Sequence, residues 1–140
     1  VERGRGEGAM ERVEVRTQAR SSHVEVTRQV EEIVARSGLR RGIAVVCSLH
    51  TTAGVTINEN ADPDVMEDVM AALAGMAPRG ASYAHTEGNS DAHIRASLVG
   101  LSVTVPVEEG RLVLGRWQGI FFCEFDGPRR RVVGVQVVAG

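Results

Sequence analysis

The hydrophobic patterning predicts an α+β fold: a compact, single-domain, β-sandwich-like sheet with about three helices. Two observations carry this. Segments that alternate polar and apolar lie towards both ends of the chain, and segments with helical periodicity gather in the middle. That order favours a sandwich over alternating βαβ units. The second observation is size and balance: 140 residues, 43% hydrophobic and 24% charged, suit one globular domain.

The elements follow in order. Residues 1–9 are rich in Gly, Arg and Glu without periodicity and read as a flexible leader, so the ordered domain is expected over 10–140. Glu11 to Val15 alternates as a half-buried strand does, and Val24 and Val26 allow a short second strand. Val26, Val30, Ile33 and Val34 then fall at helical spacing, with Thr27 as the expected N-cap and Gly38 as the stop. Ile43 to Leu49 is nearly all apolar, which predicts a central strand covered on both faces. Gly54 to Asn58 alternates again. Asp62-Pro63 is a helix start, and the stripe Val65, Met66, Val69, Met70, Leu73 is expected to end at Gly75. Met76 to Asn89 is polar and long for a connection, hence a candidate functional loop. Ser90 is the expected cap of a short helix that Gly100 ends. Strands are expected at Leu101 to Val107, within Leu112 to Phe125, and at Val132 to Val138, with turns at 108–110 and 127–128.

The charge composition narrows the chemistry. All 16 basic residues are arginine. Without lysine there is no Schiff base, no phosphate-loop lysine and no lysine general base. A net charge of −2 gives no ground for a nucleic-acid partner, and Arg129 to Arg131 reads as a solvated turn between strands. No apolar stretch approaches a membrane span, so no membrane partner is expected. Cys47 and Cys123 read as small buried thiols in a reducing compartment, which predicts a cytoplasmic protein.

Three segments concentrate groups able to do chemistry. His50 ends the most apolar strand and precedes Thr51, Thr52, Ala53 and Gly54. Such a strand exit can orient an anion or a metal-bound water, and it equally suits a structural hydrogen bond. Asn58-Glu59-Asn60 stands where the next strand gives way to a helix; capping explains one asparagine and leaves the other two residues unexplained. His85 to His93 holds two histidines, two carboxylates, an amide and two hydroxyls in nine residues. His93 would sit in the first turn of a helix, where free N–H groups favour an anion, and the two imidazoles with a carboxylate also suit a divalent metal. Trp117 fits a core position or a site, and Gln118 beside it could satisfy buried backbone or face a ligand. Glu124 lies within an apolar strand and needs a partner, for which an arginine of another subunit is the expectation.

Taken together, His50-Thr51-Thr52-Ala53, Asn58-Glu59-Asn60, His85-x-x-Gly88-Asn89-x-x-Ala92-His93, Gly115-x-Trp117-Gln118 and Glu124-Phe125-Asp126-Gly127-Pro128-Arg129 resemble the YjbQ family, also called UPF0047. The match runs in order from about Met10 to the C-terminus. Arg116 departs from it, standing where that family usually has Thr or Ser. The resemblance implies a homotrimer with polar motifs near subunit boundaries, and a secondary thiamine-phosphate synthase activity: a pyrimidine-methyl pyrophosphate loses pyrophosphate with metal assistance, and a thiazole phosphate takes its place. On that reading His50, His85 and His93 hold a divalent metal (Mg or Zn) or phosphate, and together with Glu59 form the catalytic set. Thr51, Thr52, Asn58, Asn60, Asn89, Gln118 and Arg129 contact a small phosphorylated metabolite, and Trp117 stacks on a ring. Arg95, Arg116 and Arg129 are the candidate fixed cations. The same residues also suit a metal-dependent phosphohydrolase, or a non-catalytic trimer that binds a metal or phosphorylated metabolite.

Overall fold

The structure, a computed structural model, describes residues 10–140. The leader expected over 1–9 lies outside the described residues. In chain order the elements are β1 (Glu11–Arg16), β2 (Ser22–Glu25), α1 (Thr27–Ser37), β3 (Arg41–Ser48), β4 (Ala53–Glu59), α2 (Pro63–Met76), α3 (Ser90–Val99), β5 (Ser102–Glu108), β6 (Arg111–Leu112), β7 (Gln118–Glu124) and β8 (Arg130–Ala139). The fold is α+β. Five strands form one antiparallel sheet in the order β1-β8-β3-β5-β6, and three form a second in the order β2-β7-β4.

Alternation explains which faces meet. Val15, Ala44, Val46, Val105, Val133, Val135 and Val137 point from the five-stranded sheet onto Val55, Ile120 and Phe122 of the smaller one, and α1 closes this core with Val30, Ile33 and Val34. The other face of β7 presents Phe121 and Cys123, with Phe125 just beyond the strand, to Met66, Met70 and Leu73 of α2 and to Ala92 and Ala96 of α3. The molecule is thus layered: sheet, sheet, helix pair.

That layering moves one expectation. The strand covered on both faces is β7, where every residue after Gln118 is buried. β3 buries only Ala44, Val46 and Ser48, while Ile43 is exposed and Val45 and Cys47 are half-buried, because α2 and α3 pack on the smaller sheet. Helix boundaries shift slightly too. Asp62 caps α2 as expected, accepting from Asp64 N–H at 3.0 Å, but the helix runs through Gly75 to Met76. Thr27 is the first residue of α1 rather than its cap; its hydroxyl donates to Glu25 and accepts from Ile120 N–H. Ser90 likewise opens α3, with Asn89 at the cap position. The stretch expected as strand from Leu112 breaks after β6, and 113–117 form a connection to β7 in which Trp117 is exposed rather than core.

Candidate functional site

Three segments near one end of the smaller sheet line an open cleft of about 360 Å³. The β3–β4 connection supplies His50, Thr51 and Thr52. The start of α3 supplies Asn89 and His93, preceded by Glu87. The β7–β8 connection supplies Asp126 and Arg129, with Arg131 beneath. Six of the residues expected at a site are therefore brought together: His50, Thr51, Thr52, Asn89, His93 and Arg129.

A buried ion pair braces this end. Arg131 donates to Glu124 through Nε at 2.8 Å and makes a second, shorter contact to Oε2. It also donates to Thr52 Oγ1 at 2.9 Å, while Thr17 Oγ1 and Asp126 N–H donate to the same carboxylate. Burial alone would raise the Glu124 pKa; these hydrogen bonds outweigh it and hold the carboxyl below its usual value. The partner of Glu124 is thus an arginine of its own chain, not of another subunit. Arg131 is a site residue that the solvated-turn reading of the arginine run missed. Its signal was available: it keeps the two-residue period of Val133, Val135 and Val137, so it points inward with them.

His50 Nε2 accepts from Val132 N–H at 2.8 Å. In the neutral ring that hydrogen bond places the proton on Nδ1. Burial first, and then the charge of Arg131, lower the His50 pKa from its ordinary value. The ring is therefore a neutral donor at neutral pH. The start of α3 is braced separately. Asp91 is fully buried and takes both terminal nitrogens of Arg20 at 3.0 and 3.1 Å, with Arg95 at 3.2 Å. Burial would raise the Asp91 carboxyl, and Arg20 outweighs it to give a lowered pKa. Asn89 donates to Asp126 Oδ2 at 2.9 Å, while its own Oδ1 is buried without a partner. Arg129 is held over the cleft by Asp126, whose backbone oxygen accepts from Nε at 2.9 Å. Arg95, one of the three expected cations, is buried against Asp91 and the Ala77 carbonyl and is not available to a ligand.

The remaining expected residues lie elsewhere. His85 borders a neighbouring slot of about 350 Å³ with Tyr83, Ile94 and His93, and its ring meets that of His93 edge-on, centroids 5.4 Å apart. Asn58, Glu59, Asn60, Trp117 and Gln118 gather at the opposite end of β4 and β7. That end lies roughly 20 Å from Thr52 for seven strand residues at ~3.4 Å each. There Arg116 stacks over Trp117, 4.9 Å from the ring centroid, and Asn60 donates to Glu25. Gln118 accepts from Gly115 N–H, closing its own turn.

The residues present do not fit the expected metal set. The two nitrogens of His50 are committed, one accepting from Val132 and the other carrying the proton. Among the described residues no three His, Cys, Asp or Glu side chains converge as metal ligands, so His50, His85 and His93 are not assembled as one set within a single chain. The cleft offers hydrogen-bond donors, a helix N-terminus and the Arg129 guanidinium, which is paired with Asp126 at 3.3 Å, and it also carries the carboxylates of Glu87 and Asp126; the donors and the cation suit an oxyanion.

The family model for UPF0047 protein YjbQ-like matches residues 11–140. The chain is 47% identical over 125 residues to UPF0047 protein MJ1081 of Methanocaldococcus jannaschii, covering 89% of this chain and 91% of that one. It is 45% identical over 127 residues to YugU of Bacillus subtilis, covering 90% and 96%. Its fold matches the crystal structure of a YjbQ/UPF0047 protein from Clostridium acetobutylicum with a TM-score of 0.90 at 48% identity, covering 91% and 99%. A YbjQ-like protein of unknown function from Sulfolobus solfataricus matches with a TM-score of 0.90 at 33% identity, covering 94% and 97%. With five sequence motifs in order and the same fold over nearly its full length, the chain belongs to the YjbQ (UPF0047) family.

Proposed function

We propose that the cleft beside α3 binds the phosphate or pyrophosphate group of a small metabolite, and that its chemistry is a group transfer of the thiamine-phosphate-synthase type. One observation carries the reading: six of the expected residues, from three separate segments, line a single cleft whose hydrogen-bond donors and guanidinium are suited to an anion. In this reaction the carbon–oxygen bond to pyrophosphate breaks, pyrophosphate keeps the electron pair, and the thiazole nitrogen lone pair forms the new bond to carbon. No proton has to leave that nitrogen. The demand on the protein is stabilisation of the departing charge.

Arg129 supplies a permanent cation, His50 and the threonines supply neutral donors, and His93 stands at the helix start to hydrogen-bond the leaving oxygens. A divalent metal would supply further charge neutralisation when bound, with ligands beyond those one chain brings together. Two free thiols, Cys47 and Cys123, support a cytoplasmic placement. Among the described residues no helix is long and apolar enough to cross a membrane.

The test is a coupled assay with the two thiamine half-molecules, alongside thermal melts with pyrophosphate. The wild-type chain is expected to release pyrophosphate, and pyrophosphate is expected to raise its melting temperature. His93→Ala should abolish turnover without unfolding the protein. Arg129→Met should weaken pyrophosphate binding about 10- to 100-fold, the range for a lost charge-assisted hydrogen bond. Turnover no faster than background sinks the transfer. Phosphate released from a single phosphoester, with no coupling partner, identifies a hydrolase instead. Stabilisation without product identifies a binding protein.

A further inference from the structure

Donors and a guanidinium can hold the anionic end of a ligand, and they leave the rest of it without a wall. The cleft is polar apart from Leu49, and its volume of about 360 Å³ is near the lower limit of the ~300–1,000 Å³ of small-molecule sites. The family resemblance gives ring stacking to Trp117. That residue lies at the far end of the smaller sheet, roughly 20 Å from Thr52 at ~3.4 Å per strand residue. A ring attached to a phosphate in the cleft meets other side chains first.

The slot beside the cleft presents them. Ser90, His93 and Ile94 stand at positions i, i+3 and i+4 of α3 and so share one helix face. Tyr83, Ala84 and His85 complete the lining of this open slot of about 350 Å³. Tyr83 is half-buried, and its hydroxyl donates to the Pro78 carbonyl at 2.6 Å, which commits its polar atom to the backbone of its own loop. The His85 and His93 rings meet edge-on, with an interplanar angle of 89°. Ile94 adds an apolar side chain that is 39% exposed. Flat rings pack on such surfaces offset-stacked or edge-to-face, and Ser90 offers a hydroxyl to a ring nitrogen or amino group.

Slot and cleft adjoin. His93 lines both. His85 Nε2 lies 3.3 Å from Glu87 Oε1, and Glu87 in turn lines the cleft. We propose that the slot is the ring subsite of the cleft, so that the ligand is a phosphate or pyrophosphate ester carrying a flat aromatic or heteroaromatic ring. This rests on the anion-binding reading of the cleft. It adds Tyr83 and Ile94 as residues that determine specificity.

The experiment uses two labels that the sequence supplies, since the chain has one tyrosine and one tryptophan. Protein with isotope-labelled tyrosine and tryptophan rings is titrated with inorganic pyrophosphate, ethyl phosphate and benzyl phosphate and followed by NMR. The phenyl ring current of benzyl phosphate is expected to shift the Tyr83 signals, ethyl phosphate to shift them far less, and Trp117 to stay unmoved. Benzyl phosphate should bind about 10-fold more tightly than ethyl phosphate, the gain from an aromatic contact and its apolar area. Ile94→Asn should bring the two affinities towards parity, and Tyr83→Ser replaces it if that variant does not fold. Tyr83 signals that benzyl phosphate leaves unmoved, or that both esters shift equally, overturn the subsite; a shift at Trp117 in their place returns the ring to the far end. Equal affinity of the wild-type chain for the two esters overturns it as well. Pyrophosphate binding alongside any of these results leaves the anion cleft standing and removes only the slot. Tyr83 shifted by benzyl phosphate in a protein that binds neither pyrophosphate nor ethyl phosphate shows a ring site without an anchor, which overturns the anion cleft and the ester with it.

Discussion

At the scale of single residues, hydrogen bonds decide what each polar group is free to do. His50 is the clearest case, because Val132 N–H occupies its Nε2. Replacing it with alanine leaves a part-buried backbone donor unpaired, at an expected cost of about 1–3 kcal/mol. The pH dependence has a definite sign. The folded ring has a lowered pKa, so the unfolded chain takes up the proton first. The contribution of His50 is complete above the unfolded value of about 6.5 and is lost as pH falls from there towards the folded value. Urea midpoints at pH 7.5 and pH 5 should therefore fall less in His50→Ala than in the wild type; equal falls would show that the ring titrates normally. The residue types at this site were legible from sequence, since a histidine with two hydroxyls after an apolar strand stands out. The commitment of one ring nitrogen to Val132, 82 residues away, was not, because nothing local encodes it.

At the scale of elements, local signals placed most boundaries and tertiary contacts moved the rest. Asp62 and Pro63 announced α2, and the side-chain cap is present. Asp62→Ala should cost about 1 kcal/mol, read as a lower melting temperature with an unchanged far-ultraviolet spectrum at low temperature. A loss of several kcal/mol would mean that Asp62 does more than cap. Gly75 failed as a stop because a glycine with normal helical backbone can stay inside the helix, and here α2 continues to Met76. Gly38 and Gly100, both with positive φ, did end their helices. Thr27 and Ser90 read as caps by type, yet each is the first residue of its helix, and the Thr27 hydroxyl is taken by Glu25 and Ile120 instead. The continuous apolar run of β3 suggested cover on both faces. Periodicity reports how apolar a strand is; it cannot report which sheet the helices will choose.

At the scale of the whole molecule, the cleft depends on how closely α3 sits against β4. Gly54 sets that distance. A Cβ added there would lie 2.5 Å from the Gly100 carbonyl and 3.0 Å from Val99, while Val55 N–H donates to the same carbonyl at 3.0 Å. Backbone at that separation cannot yield without moving the C-terminal end of α3. A ten-residue helix transmits such a shift along its roughly 15 Å length to Asn89 and His93 at the other end. Gly54→Ala is therefore expected to cost about 1–3 kcal/mol through overpacking, and also to shrink the rise in melting temperature that pyrophosphate gives. Val46→Ala supplies the comparison. It opens a cavity of similar cost in the core between the sheets, away from α3, and should keep the pyrophosphate response. Equal responses in the two variants would show that the seating of α3 does not shape the cleft. A response lost only in Gly54→Ala would tie anion binding to the packing of the helix layer. On the proposed anion-binding reading the lysine-free composition gives that layer its weight, since few fixed cations remain: Arg95 is spent inside the fold, Arg131 is paired with Glu124 and Arg129 with Asp126, so the start of α3 would share the load.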